Sequence, residues 1–273
     1  MTNEQWLAVF KDIGRKMRAG IAEFLSREGG TASLGRGAGG DKTFPVDQWA
    51  EDIILSALEK AHAHGEQFTL ISEELGIREF GRGTKCVLVD PIDGSNNAKT
   101  GIPFFSTSIA LLDDERLADL RIGYVLNLAA GDEFWAVKGE GAFKNGGRIT
   151  TSSSEEIIIV AYEASTPGTD IPRILPLLAE ARRARCFGSM ALDLCYVASG
   201  AVSVFATGNR SRAFDFAAGM LIHKEAGGVI TDASGNSLDS VPAGLGRTVP
   251  LLVSANGVIH QKALNLLSKG RAR

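Results

Sequence analysis

The sequence predicts a mixed fold, α+β in its first half and α/β in its second, and three patterns predict it. Apolar residues recur at helical spacing twice within the first 61 positions. Short apolar or alternating runs punctuated by Gly, Asp and Asn then occupy 67–150. From 151 onward, apolar runs alternate with helical stretches. Two lobes follow, 1–150 and 151–273.

Trp6, Val9, Phe10, Ile13, Met17, Ile21 and Phe24 define a long amphipathic helix whose apolar stripe is core or interface. The six glycines from Gly29 to Gly40 end it and mark a flexible flap. Gly35-Arg-Gly-Ala-Gly39 has the look of a dinucleotide loop, but it follows a helix rather than a strand and is not read as one. Thr43-Phe44-Pro45 opens a second helix, marked by Trp49, Ile53, Ala57, Leu58 and Ala61, with Asp47 in its first turn. Buried strands are expected at Phe68 to Ile71 and Cys86 to Val89. Ser106 to Leu112, Leu120 to Val125 and Glu133 to Val137 continue a largely antiparallel sheet. After Ser152-Ser-Ser-Glu-Glu156 come Ile157 to Ala161, Leu175 to Ala181, Ala191 to Ala198, Val202 to Ala206 and Phe214 to Ile222, the alternation of an α/β lobe. The basic end, Lys269-Gly-Arg-Ala-Arg273, reads as a frayed terminus rather than a binding tail.

The 273 residues are 44% apolar, ordinary for a globular protein. With 29 Lys+Arg against 32 Asp+Glu, the net charge of -3 offers no broad basic field to nucleic acid. Met1-Thr-Asn-Glu-Gln-Trp6 lacks the basic and apolar regions of a signal peptide, and no apolar run approaches the ~20 residues of a membrane span. A cytoplasmic protein without membrane partners is expected. Cys86, Cys186 and Cys195 show no zinc spacing and read as reduced and buried. His62, His64, His223 and His260 form no metal motif and read as surface or boundary residues. Cysteine-phosphatase and P-loop patterns are both missing.

Chemistry concentrates instead in acids at element ends. Val89-Asp-Pro-Ile-Asp-Gly-Ser95 sets Asp90 and Asp93 three residues apart where a strand meets a helix, with Pro91 and Gly94 as turn residues and Ser95 as N-cap. The amides that follow can point at an anion with the helix dipole's help. Oxygen-only ligands select Mg²⁺ or Mn²⁺ rather than zinc. Phe68-Thr-Leu-Ile-Ser-Glu-Glu74 ends in adjacent acids, and Phe214-Asp-Phe-Ala-Ala-Gly219 puts Asp215 at a helix start. Taken singly, these segments are also an Asp-Pro turn, a solvated acidic pair and an aspartate answering a helix dipole.

In order and spacing, Ser72-Glu-Glu74, Asp90-Pro-Ile-Asp-Gly-Ser95, Asp215-Phe-Ala-Ala-Gly219 and Lys224-Glu-Ala-Gly-Gly228 resemble the inositol monophosphatase family of Mg²⁺-dependent, lithium-sensitive phosphatases. Gly101-Ile-Pro-Phe-Phe-Ser106, Gly139-Glu-Gly-Ala-Phe143 and Gly188-Ser-Met-Ala-Leu-Asp193 accompany them. The likeness extends from about residue 40 to about 260 and is greatest to the archaeal branch, whose members act on both inositol monophosphate and fructose 1,6-bisphosphate.

The resemblance implies a layered αβαβα sandwich of the sugar phosphatase type. It also implies that Glu73, Asp90 and the Ile92 carbonyl hold one Mg²⁺, and that Asp90, Asp93 and Asp215 hold a second. Glu74 borders a third, weaker site, and Mn²⁺ can replace Mg²⁺. Most ligands then belong to the first lobe, and Asp215 with the specificity residues to the second. The Gly94 and Ser95 amides meet the substrate phosphate, Asp47 orients Ser95, and Ser95 orients the attacking water on a metal ion, with Glu73 counted among the catalytic acids. The family usually has threonine at the Ser95 position, so serine keeps the hydroxyl with a looser rotamer. Gly188, Ser189 and Met190 line the substrate site.

Animal relatives carry a glutamate seven residues before the aspartate matched by Asp215, and Gly208 stands there instead. Arg210 and Arg212 then suit a second phosphate, Arg212 better, unless they are solvated or paired with acids. The resemblance further implies a homodimer, with Phe104, Phe105 and Trp135 at a candidate surface. A nucleotide 3′-phosphatase and a regulatory binding protein of the same fold are the competing functions.

Overall fold

The computed structural model describes residues 1–28, 34–40 and 42–271. Helix α1 (Asn3–Glu28) buries Trp6, Phe10, Ile13, Met17 and Ile21, which makes its stripe core. Where the sequence predicts a flap, β1 (Gly35–Arg36) pairs antiparallel with β2 (Lys42–Thr43), while 29–33 and 41 lie outside the described residues. Helix α2 (Pro45–Ala63) starts at the predicted proline, and Asp47 accepts the Phe44 amide at 2.8 Å.

The first sheet comprises β3 (Phe68–Ser72), β4 (Gly76–Phe80), β5 (Cys86–Asp93) and, after the short helix α3 (Ser95–Thr100), β6 (Ser106–Leu112), β7 (Leu120–Asn127), β8 (Glu133–Val137), β9 (Gly141–Lys144) and β10 (Gly147–Ile149). Its order is β10-β9-β8-β7-β6-β5-β3-β4, antiparallel apart from β3 beside β5. The second half supplies β11 (Ile159–Glu163), α4 (Pro167–Glu180), β12 (Arg183–Arg185), α5 (Met190–Ala198), β13 (Val204–Thr207), β14 (Ser211–Arg212), α6 (Ala213–Glu225), β15 (Val229–Asp232), β16 (Arg247–Val249), β17 (Leu251–Ser254) and α7 (Gly257–Arg271). A five-stranded mixed sheet runs β12-β11-β13-β17-β15, and β14 pairs separately with β16. Helix α4 starts well before the predicted Leu175 and contains Pro172 and Pro176. The terminal basic residues are helical to Arg271, and 272–273 lie outside the described residues.

Strand alternation turns these elements into five layers around three cores. Val87 and Val89 face α1 and α2 together with Ile109, Leu111 and Tyr124. Cys86, Leu88, Ala110 and Leu112 face the other way, onto α5 and α6. Those helices also meet Phe205, Leu251 and Val253 of the second sheet, so they are sandwiched between the two. Val160, Val204 and Leu252 point outward to Ile174 and Leu177 of α4 and Ile259 and Ala263 of α7. The αβαβα order is the predicted one. Gly123 on β7 lets α6 come close: a Cβ there would lie 2.5 Å from the Ala218 carbonyl oxygen.

Several expectations fail here. Cys186 is exposed, although Cys86 and Cys195 are buried. His223 is fully buried and His260 nearly so. The ring of His223 fits because Gly228 has no side chain, and Nε2 donates to the Ser254 carbonyl at 3.0 Å. Burial pulls its pKa down to about 4. The three aromatics of the candidate surface, which read equally as core, divide: Phe105 is core, while Phe104 and Trp135 are half-buried, stacked on Phe187 and Phe143.

Candidate active site

Strand β5 runs past Pro91, where the sequence predicts a turn, because the pairing with β6 shifts between Asp90 and Asp93 and the irregularity accommodates the proline. Gly94, at φ 89°, caps the next helix in place of Ser95, which is its first residue. A Cβ on Gly94 would lie 2.7 Å from the Gly188 carbonyl oxygen, so the close approach of the two loops requires glycine. Asn97 ties them further, donating to the carbonyls of Phe104 and Phe187 at 2.8 and 2.7 Å.

Three elements bring the acids together. Glu73 leaves the end of β3 with its amide on the Val89 carbonyl at 3.1 Å. Asp90 lies on β5, and Asp215 opens α6, accepting the Arg212 amide at 3.1 Å. Glu73, Asp90 and Asp215 each offer a carboxylate oxygen within 4.8 Å of the others. Asp93 is clamped separately, its Oδ2 accepting the Ser189 hydroxyl at 2.6 Å and the Ala191 amide at 2.7 Å.

Burial first, then the charges of Glu73, Asp93 and Asp215, hold the Asp90 carboxyl well above its usual range. Burial likewise pushes Asp93 up to about 7 and raises Asp215 against the pull of Arg212. Asp90 Oδ1 is buried with no hydrogen-bond partner among the described residues. Crowded carboxylates and an orphan buried oxygen fit a hard divalent cation.

These acids open into a cavity of about 540 Å³ whose walls include Ile92, Gly94, Ser95, Gly188, Met190, Arg210 and Arg212. Two predicted residues are used differently. Ser189 is fully buried and spends its hydroxyl on Asp93, so it positions an acid rather than lining the substrate site. Asp47 is buried outside the cavity wall and bonded to the Phe44 amide, and among the described residues it makes no hydrogen bond to Ser95. Burial pushes its pKa up to about 7.

Arg212 faces the acids, not a distal phosphate: Nη2 is 2.9 Å from Glu73 Oε1 and 3.3 Å from Asp215 Oδ1. Arg210 is exposed on the wall. Sequence reading missed Lys42, Glu163 and Arg247 there. Arg247 belongs to no motif and reaches the site only because β16 pairs with β14, where its Nη1 donates to the Arg210 carbonyl at 3.0 Å. Gly208 proves sterically committed, since a Cβ would lie 2.2 Å from the Asp170 carbonyl oxygen.

A buried acid beside the site carries its own prediction. Glu51 accepts the Ser72 hydroxyl at 2.5 Å, and burial above all pushes its pKa up to about 7. The folded state therefore holds this proton more tightly than the unfolded chain, and stability falls as pH rises from the unfolded carboxyl value toward 7. Glu51→Gln should raise stability at pH 8 by about 1–2 kcal/mol and flatten that fall, read by urea unfolding across pH. A variant less stable than wild type at pH 8 would contradict the buried-charge account.

Residues 3–270 match the inositol monophosphatase family. The chain is 35% identical to the fructose-1,6-bisphosphatase/inositol-1-monophosphatase of Archaeoglobus fulgidus over 98% of this chain and 100% of that protein. It is 33% identical to the protein of the same description from Methanothermobacter thermautotrophicus, over 96% of each. The crystal structure of extragenic suppressor protein suhB from Bartonella henselae superposes with a TM-score of 0.84 at 28% identity, covering 97% of this chain and 99% of that one. Among the described residues no helix is long and apolar enough to cross a membrane.

Proposed function

This chain belongs to the inositol monophosphatase family and is a phosphatase, and from that premise we propose that it hydrolyses inositol monophosphate and the 1-phosphate of fructose 1,6-bisphosphate. The family is metal-dependent, and we assign the chain two or three Mg²⁺ ions, replaceable by Mn²⁺. Glu73, Asp90, the Ile92 carbonyl, Asp93 and Asp215 would hold them, with Asp90 shared. The observation that carries the reading is the convergence of three carboxylates from three elements at one cavity wall. Bound ions supply charge for the developing oxyanions and lower the pKa of the attacking water. At the start of α3 the Gly94 and Ser95 amides would take phosphate oxygens, because the first donors of a helix have no intrahelical partner. The Ser95 hydroxyl would orient the water, while Ser189 and the Ala191 amide keep Asp93 in register.

For the distal phosphate we choose Arg210 and Arg247, which are exposed on the cavity wall, over Arg212, whose side chain is buried beside the proposed metal ligands. Arg247→Ala should lower kcat/KM for fructose 1,6-bisphosphate about tenfold, the low end for a charge-assisted hydrogen bond because the residue is exposed, and leave inositol monophosphate nearly unchanged. Equal losses on both substrates would remove Arg247 from specificity.

The same proposal divides the chain into lobes at 1–150 and 151–273 and makes it a cytoplasmic homodimer acting on small phosphorylated sugars and inositols, without nucleic-acid or membrane partners. A monomeric mass at micromolar concentration would refute the dimer. The deciding experiment is phosphate release from inositol monophosphates, fructose 1,6-bisphosphate and adenosine 3′,5′-bisphosphate, in Mg²⁺ and in chelator. Release from the nucleotide alone would make the chain a nucleotide 3′-phosphatase, and no release would favour a binding role.

A further inference from the structure

Arg212 is only 7% exposed, and its guanidinium lies among the acids. Besides the Nη2 contacts to Glu73 and Asp215, its Nε donates to Asp215 Oδ2 at 3.3 Å. Two of the three converging carboxylates therefore already face a fixed positive charge. A guanidinium and a divalent ion compete for the same oxygens, since each needs them as its counter-charge and neither accepts a hydrogen bond in return. Arg212 Nη1 reaches the other way, donating to the Gly39 carbonyl at 3.2 Å in the connection between β1 and β2. The Gly39 and Ala38 amides in turn donate to the Glu73 and Glu74 carbonyls at 2.7 and 3.2 Å. The packing is tight: a Cβ on Gly39 would lie 3.1 Å from Glu73 Cγ and 3.2 Å from Arg212 Nη1.

We infer that Arg212 is a built-in counter-ion of the metal site, which a divalent ion displaces from Glu73 and Asp215 on binding and whose displacement loosens the β1–β2 hairpin. The inference rests on the metal reading above. Arg212 is a positioning residue, acting through the acids rather than on the reacting phosphate. Without a bound ion it neutralises buried carboxylates that would otherwise repel. With an ion arriving, the apparent affinity is reduced by the fraction of molecules in which Arg212 already holds the acids. Its link to Gly39 makes the hairpin a reporter of which cation is in place.

The test titrates chelator-treated protein with MgCl₂ by calorimetry, for wild type, Arg212→Ala and Arg212→Lys. If Arg212 holds the acids in nine molecules of ten, Arg212→Ala should bind Mg²⁺ about tenfold more tightly. The same variant should melt lower than wild type in chelator and gain more from Mg²⁺. Arg212→Lys keeps the charge without the fork and should fall between, which keeps the idea testable if the alanine variant misfolds. Hydrogen exchange at the Gly39 amide should quicken in wild type on adding Mg²⁺ and be quick in Arg212→Ala throughout. Equal or weaker Mg²⁺ binding by both folded variants overturns the counter-ion role and leaves the phosphatase reading standing. Binding of neither Mg²⁺ nor Mn²⁺ by any of the three proteins removes the metal reading and this inference with it.

Discussion

Asp90→Asn should lower phosphate release by about a thousandfold or more, ~4 kcal/mol of barrier, at Mg²⁺ concentrations that saturate the wild type. The carboxylate is buried, one of its oxygens has no hydrogen-bond partner among the described residues, and three other acids press on it, so an amide there removes the shared ligand of the two proposed metal ions. Metal-free stability should move oppositely. Replacing a buried acid amid like charges with a neutral isostere relieves repulsion, and the variant should melt no lower than wild type in chelator. Mg²⁺ should then raise its melting temperature less than the wild type's. Full activity, or equal Mg²⁺ shifts, would put the site elsewhere.

Gly123→Ala should be the most damaging single-methyl change in the sheet. Its Cβ would sit 2.5 Å from a backbone oxygen of α6, and a helix wedged between two sheets has no room to retreat. Overpacking of this kind costs about 1–3 kcal/mol, and more where backbone is what must move. Because Asp215 lies in the first turn of α6, activity should fall together with stability. Denaturant unfolding and phosphate release measure the two; a variant as stable and active as wild type would mean that α6 is not seated as described.

The converging acids were legible because each sits in a short local pattern, Glu73 and Asp90 at the end of an apolar run and Asp215 at a helix start, and the strand or helix that carries it follows from the same residues. The layer order was implied by the family resemblance, whereas periodicities of 3.6 and of 2 reported only which face of each element is buried. What escaped depended on contacts between distant segments. Pro91 reads as a turn until the β6 partner shows a shifted register that absorbs it. Ser189 reads as a substrate contact until the Asp93 carboxylate is beside it. His223 looks like a boundary residue because nothing in its own helix announces the hollow left by Gly228. Arg247 reaches the cavity only by pairing across to β14, a juxtaposition that no window of sequence contains.

The position of α6 has a consequence for how such a chain can be altered as a whole. Chain order assigns this helix to the second half, yet its packing partners include β5, β6, β7 and β8 of the first. A boundary drawn near residue 150 therefore separates two lobes that share a core: each half alone would expose one wall of it to water. Neither half could be shuffled into another protein as a self-sufficient module. Recombination can exchange the outer helices α4 and α7 or the surface loops far more readily than it can separate the pieces that meet on α6.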